Sequence, residues 1–175
     1  MNPTGNDEHA GSWIDEAVRE HQAPLVRYAT RLVGGDEERA RDVVQDTFVR
    51  LLKQPPEQVN GHVVEWLYTV CRNRAMDVLR KEGRMRAFAE GEVEKVTTGE
   101  ARPGRDLEAE ERREAVLAMI DQLPANQQEV IRLKFQNGFS YKEISRITEL
   151  SVSNVGFLIH TAVKKLRQEM AMQRP

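Results

Sequence analysis

The chain has 175 residues and a formal net charge of −2, with 39% hydrophobic and 31% charged side chains. That supports one domain or two small ones; no apolar run approaches the roughly 20 residues of a bilayer span, and the polar, acidic opening MNPTGNDEHAG is unlike a secretory signal. The single cysteine, Cys71, excludes an internal disulfide and fits a reducing, cytoplasmic setting without membrane insertion.

The small net charge hides a partition. Residues 1–60 carry a net −4, 61–88 a net +3, 89–114 a net −4, 115–138 none, and 139–175 a net +3. Two basic segments separated by an acidic one offer two places for a polyanion to sit.

No alternating apolar run is bounded by turns, so the chain reads as all-α, and no internal repeat is evident. After a polar tail over residues 1–11, a first helix runs from about Ser12 to Val33, with Ile14, Val18, Leu25, Ala29 and Leu32 on one face. Gly34-Gly35 stops it. A second helix begins at Asp36, whose carboxylate can cap it, and ends before Pro55-Pro56. Its inner face is Ala40, Val44, Phe48 and Leu51; Asp42, Asp46, Val49 and Lys53 face out, flanked by Arg39 and Arg50.

Residues 54–62 read as a loop, and a third helix runs from about Val63 to Arg86. Leu67, Val70, Cys71 and Val78 point inward, and Arg74 falls on that same side, an odd residue for a core position. Thr69, Asn73, Met76 and Arg80 point outward, with Arg72 nearby. Three helices make a minimal bundle over residues 12–87.

Residues 88–106 are acidic and aperiodic and contain three glycines and a proline, the composition of a flexible linker. From Leu107 helical periodicity resumes through Val116, Leu117 and Ile120 to a break at Leu123-Pro124. A helix carrying Val130, Ile131 and Leu133 follows and stops at Asn137-Gly138. Ser140 and Glu143 have the spacing of a capping box, opening a short helix with Ile144 and Ile147 on its apolar face. Leu150-Ser151 breaks it, and Ser151 can cap a last helix whose buried stripe is Val155, Ile159, Ala162 and Leu166. At about 100° per residue, Ser153, Phe157, His160 and Lys164 occupy the opposite face, with Asn154 and Thr161 at its edge. A short helix, a tight turn and a longer helix with a polar outer face suit a helix-turn-helix, although an ordinary helical hairpin has the same outline. The second domain, residues 107–175, thus has four helices.

Four segments occur in one order: ARDVVQDTFVRLL at 40–52, WLYTVCRNRAMDVLRK at 66–81, LPANQQEVIRLKF at 123–135, and the closing helix pair. Together they resemble the sigma-70 family of bacterial transcription initiation factors, in its two-domain extracytoplasmic-function group. The resemblance implies that the first domain binds RNA polymerase core, with Asp42, Gln45, Asp46 and Val49 on the second helix meeting the clamp of the largest subunit. It implies that the third helix and the loop before it open the minus-10 promoter element and hold the single non-template strand. Arg72, Arg80, Lys81 and Arg84 would track phosphates there, and Asn73 would read a base edge. Residues 54–62 would frame a flipped base, and Trp66 and Tyr68 are stacking candidates, with core packing the commoner fate of such a tryptophan.

The resemblance further implies that the last helix reads duplex minus-35 DNA through Ser153, Asn154, Phe157, His160, Thr161 and Lys164, with the flap of the second-largest subunit as a further contact. Here the sequence departs from the pattern it resembles: family members often carry basic residues at positions matching Gly156, Leu158 and Thr161. Outward Phe157 can meet a thymine methyl, while Ser153 and Asn154 can bond base edges. An anti-sigma factor is a partner the family leaves open. No cofactor and no enzyme activity are expected: His9, His21, His62 and His160 lack metal-ligand spacing, and no Gly-rich phosphate loop occurs. Two rivals share the helices. One is a stand-alone helix-turn-helix regulator, which would leave the first bundle unexplained; the other is a purely protein-binding helical adaptor, such as an anti-sigma partner, and core-polymerase pull-down separates the sigma-factor reading from both.

Overall fold

Eight helices supply all the regular structure of a computed structural model that describes the backbone of residues 7–81, 83 and 107–172, and the side chains of 13–81, 83 and 110–172. The chain divides into two compact units, one within residues 1–83 and one within 84–175.

In the first unit, α1 (Asp7–Leu32), α2 (Glu37–Leu51) and α4 (Val63–Lys81) pack pairwise, with the single-turn α3 (Pro56–Val59) between α2 and α4. Leu25, Ala29, Leu32 and Val33 meet Ala40, Val44, Phe48 and Leu51, and all are buried. Pro24 sits inside α1 without ending it. The α1–α2 turn needs left-handed backbone at Gly34 (φ 76°) and Gly35 (φ 91°), which glycine adopts without steric cost. The Gly35 amide donates to the Thr30 carbonyl at 2.8 Å, and Asp36 then caps α2 by accepting from the Arg39 amide at 3.0 Å.

Several expectations need correction here. The first helix starts at Asp7, inside the segment read as a tail. The loop 54–62 contains α3: Pro56 at the first helical position supplies a preset φ, and Val59 is buried. The bundle therefore has a fourth, short member. The described part of α4 ends at Lys81, and the inward face differs from Leu67, Val70, Cys71 and Val78. Its buried residues are Leu67, Tyr68, Cys71, Ala75, Met76 and Leu79; Val70 and Val78 are only half-buried. Both α1 and α2 press on α4, so its apolar stripe is wider than one helical seam. The Tyr68 ring lies 5.0 Å from that of Tyr28, tilted by 45°, an aromatic contact between α1 and α4. The proposed linker, 88–106, lies outside the described residues.

The second unit comprises α5 (Leu107–Ile120), α6 (Ala125–Phe135), α7 (Tyr141–Thr148) and α8 (Val152–Met172). The first three each pack on α8, and α6 also packs on α7. Met119, Ile120, Leu123, Val130, Leu133, Phe139, Ile144, Ile147, Val155 and Ile159 form the core. Gln128 ties down the α5–α6 turn, its Nε2 donating to the carbonyls of Asp121 at 3.1 Å and Leu123 at 2.7 Å. Beside it the buried Arg132 donates from Nη2 to Asp121 Oδ1. Burial pushes the Arg132 guanidinium below its ordinary pKa, and the Asp121 carboxylate pulls it partly back.

The capping box of α7 is complete. Ser140 Oγ accepts from the Glu143 amide at 3.3 Å, and Glu143 Oε2 accepts from the Ser140 amide at 2.7 Å. Glu149 ends α7 in the left-handed region (φ 60°), and Ser151 opens α8 by accepting from the Asn154 amide at 3.1 Å. Residues 149–151 make the tight turn of a helix-turn-helix. Val155, Ile159 and Ala162 are buried as the periodicity requires; Leu166 is half-buried, because α8 outruns the short helices it packs against.

Candidate nucleic-acid and protein interfaces

On α2 the side chains left exposed are set by which faces α1 and α4 cover. Asp42, Gln45 and Val49 are exposed along one line, and Leu52, 62% exposed, continues it just past the helix end. Leu52 was not picked out from the sequence. The signal was helical spacing: Leu52 follows Val49 by three residues, on the line that starts at Asp42 and Gln45. Two apolar side chains bordered by carboxylate and amide give this face the character of a protein-binding surface rather than of a solvated helix.

Asp46 differs from Asp42. It is only half-exposed, and its Oδ2 accepts from Arg74 Nε of α4 at 2.7 Å. The outer-face position expected for Asp46 holds in part: its side chain is 48% exposed and also engaged by Arg74. The contact also accounts for a cation on the inner side of α4: Arg74 faces inward because a carboxylate on α2 meets it there.

On α4, Asn73, Arg80 and Lys81 are exposed and Arg72 is half-buried. Arg80 Nη1 donates to Asp77 Oδ1 at 2.9 Å, one turn back. Arg84 lies outside the described residues. Tyr68 is buried and removed from the stacking candidates, whereas Trp66 is half-buried. The 54–62 segment is pinned by Val59, which leaves Asn60, Gly61 and His62 exposed immediately before α4. Cys71 is buried, and burial pushes its thiol up to about 12 against the opposing effect of a hydrogen bond with Thr47, so it is no nucleophile.

On α8, Ser153, Asn154, Phe157, His160 and Lys164 are exposed, Phe157 at 66%, and Thr161 is half-buried at the edge. Leu158 is buried, so a cation there would meet the core rather than solvent. Gly156 backs onto Tyr141: a Cβ at 156 would stand 3.6 Å from the ring, an ordinary contact. Lys134 Nζ lies 5.6 Å from the centre of that ring, a cation near this end of α8 that sequence periodicity did not reveal. Among the described residues, no group of three or more His, Cys, Asp or Glu could hold a metal, and no helix is long and apolar enough to cross a membrane.

Comparison with known proteins decides the family. The family model for sigma-70 region 2 matches residues 17–85, and that for sigma-70 region 4 matches residues 113–166. The chain is similar to the ECF RNA polymerase sigma factor SigL of Mycobacterium tuberculosis, 33% identical over 162 residues that cover 89% of each chain. The chain belongs to the sigma-70 family, in its extracytoplasmic-function group.

A second relative, the ECF RNA polymerase sigma factor SigE of Mycolicibacterium smegmatis, is 29% identical over 169 residues. That match takes in 96% of this chain but only 65% of the relative's length. Two solved structures share the fold. The sigma factor RpoE of Bartonella quintana, crystallised with the anti-sigma factor NepR, has a TM-score of 0.65 at 23% identity, covering 91% of this chain and 98% of its own. CnrH, solved with the cytosolic domain of CnrY, has a TM-score of 0.56 at 24% identity, covering 98% and 93%. This sigma factor is accordingly an alternative one that directs transcription initiation. Its region 2 match does not favour a regulator built on the helix-turn-helix alone.

Proposed function

We propose that this sigma factor divides its task among three helix faces and works in the cytoplasm, where the core polymerase and the chromosome are. The outer line of α2, Asp42, Gln45, Val49 and Leu52, docks on the clamp of the largest core subunit. The exposed side of α4, Asn73, Arg80 and Lys81 with Arg72 at its edge, holds the non-template strand of the minus-10 element. The exposed side of α8 meets the duplex minus-35 element through Ser153, Asn154, Phe157, His160, Thr161 and Lys164. No catalytic step is assigned to the chain itself.

The observation that supports this reading is the order of surfaces. An apolar–acidic face and a basic, amide-bearing face lie on adjacent helices of the first unit, and the second unit carries a helix-turn-helix. Bases become accessible to α4 only after the strands part, so its side chains belong to opening rather than to first contact. Arg80 is tethered to Asp77 by an exposed pair of small energetic worth, which a phosphate can displace. The test is permanganate reactivity of minus-10 thymines in holoenzyme carrying Asn73→Ala and Arg80→Ala. Core binding and closed-complex formation should stay near parental levels while reactivity falls. Parental reactivity in the double variant would remove α4 from the opening step.

A further inference from the structure

Residues 152–163, about the first three turns of α8, contain no lysine or arginine; Lys164, Lys165 and Arg167 come only in its second half. The N-terminal residues of a recognition helix are the ones that reach base edges, and a cation on guanine is the commonest specific contact there. That contact is closed to the first half of α8. What its first turns do present is Phe157, 66% exposed, with Gly156 beside it. We infer that Phe157 is the specificity-determining residue of α8: its ring packs on the 5-methyl group of a thymine in the major groove, and Gly156 clears the space that lets the helix come close enough. This rests on the proposed minus-35 role of α8 and names the base feature on which that role depends.

Val155, Leu158, Ile159 and Ala162 turn to the core, so Phe157 projects away from it. Val152 is also exposed, at 44%, but lies five positions earlier, about 140° around the helix. Of the base-edge features in the major groove only the thymine methyl is apolar; the polar edges donate or accept hydrogen bonds. A phenyl ring laid on a guanine or cytosine edge would strip water from those groups and return no bond, so the ring rejects G·C as well as favouring thymine. Packing gives Gly156 no reason to be glycine. It lies inside a helix, where glycine costs stability relative to alanine, and a Cβ there would meet the Tyr141 ring at 3.6 and 3.9 Å, both ordinary contacts. What glycine leaves is bare backbone next to Phe157, as suits main chain that must approach a ligand closely. A lone exposed apolar side chain is ordinary on a surface. Here it is paired with a glycine the fold does not require, on the base-reading part of a helix that lacks cations.

The test deletes the methyl from the DNA and the ring from the protein, separately and together. Run-off transcription of genomic fragments first maps the shared upstream element, and duplexes carrying that element are the probe. Each of its thymines is replaced in turn by deoxyuridine, which keeps the base pair and removes only the methyl. Closed-complex affinity of holoenzyme is measured for the parent, Phe157→Ala, Phe157→Leu and Gly156→Ala, with core affinity and thermal unfolding read separately. The parent should lose about fourfold in affinity at one thymine at least, the worth of one buried methyl group. Phe157→Ala should bind the thymine duplex more weakly and show no further loss on deoxyuridine, while Phe157→Leu keeps part of the discrimination. Gly156→Ala should unfold no earlier than the parent yet bind the duplex several-fold more weakly; unchanged affinity would overturn the clearing role of Gly156. No sensitivity to deoxyuridine in the parent would overturn the inference, as would a sensitivity that survives in Phe157→Ala. Loss of core affinity in Phe157→Ala, with methyl sensitivity intact, would overturn it by making Phe157 a protein contact. If scrambling the whole upstream element leaves parental affinity unchanged, the minus-35 role of α8 itself falls, an outcome separate from the loss of methyl reading alone.

Discussion

Asp42 and Asp46 are one helical turn apart on the same helix, yet they occupy different environments, and single substitutions should separate them. Asp42 is exposed, so Asp42→Ala should change folding stability by no more than about 0.5 kcal/mol. Its affinity for core polymerase, measured by titration, should nevertheless fall several-fold; parental affinity would take the residue off the interface. A larger stability effect belongs to the second unit. Arg132 is 5% exposed, Asp121 is its ion-pair partner, and its Nε and Nη1 have no hydrogen-bond partner. Asp121→Ala should therefore cost about 3 kcal/mol by stranding a buried cation, whereas adding Arg132→Leu should restore most of that. Denaturant unfolding of the single and double variants checks this, and equal losses in both would contradict it.

At the scale of elements, the α7 cap and the α8 face make separate predictions. Hydrogen bonds from the Ser140 hydroxyl and amide region to Glu143, the hydroxyl contact first, hold the Glu143 carboxyl below its usual pKa. A depressed carboxylate stabilises the fold above its unfolded pKa, and that contribution is lost as pH falls through the folded value. Glu143→Gln should thus lower stability at neutral pH and make acid unfolding of this unit less steep below about pH 4.5. Ser140→Ala should cost about 1 kcal/mol at neutral pH. On α8 the cations that remain, Lys164, Lys165 and Arg167, all lie in its second half. Each phosphate contact contributes about 0.9 to the slope of log affinity against log salt, so the full chain on a minus-35 duplex should give no more than about −3. A slope near −6 would mean that other cations carry the contact.

Much of this fold was legible because its helices announce themselves locally. The Ser140–Glu143 box, the Asp36 cap, the Gly34-Gly35 stop and the inner faces of α2 and α8 are all short-range patterns. What escaped was long-range. Nothing near Tyr68 in sequence foretells the Tyr28 ring, so Tyr68 and Met76 read as outward or free when both are buried. The Asp46–Arg74 contact is of the same kind: periodicity flagged Arg74 as misplaced without being able to name the carboxylate that meets it. α3 was hidden because four residues carry no period, though Pro56 at its start was a usable signal. The candidate faces on α2, α4 and α8 were found by pattern and resemblance, and the structure changed how their members stand: Asp46 is engaged, Tyr68 is buried, and Leu52 joins the exposed line.

For the whole molecule, the partitioned charge and the two matched regions describe a chain that acts as an adaptor between a protein machine and DNA. The proposed function implies dependence: the sigma factor should select its promoters only together with core, and core should read those promoters only together with it. Run-off transcription from a pool of genomic fragments tests this directly, using core polymerase stripped of other sigma factors, with and without the full chain. Defined transcripts should appear only when both are present, should map downstream of a shared pair of spaced elements, and should fall several-fold when Asp42→Ala replaces the parent. Specific, high-affinity binding to those fragments by the chain alone, with no core-dependent transcripts, would contradict the account.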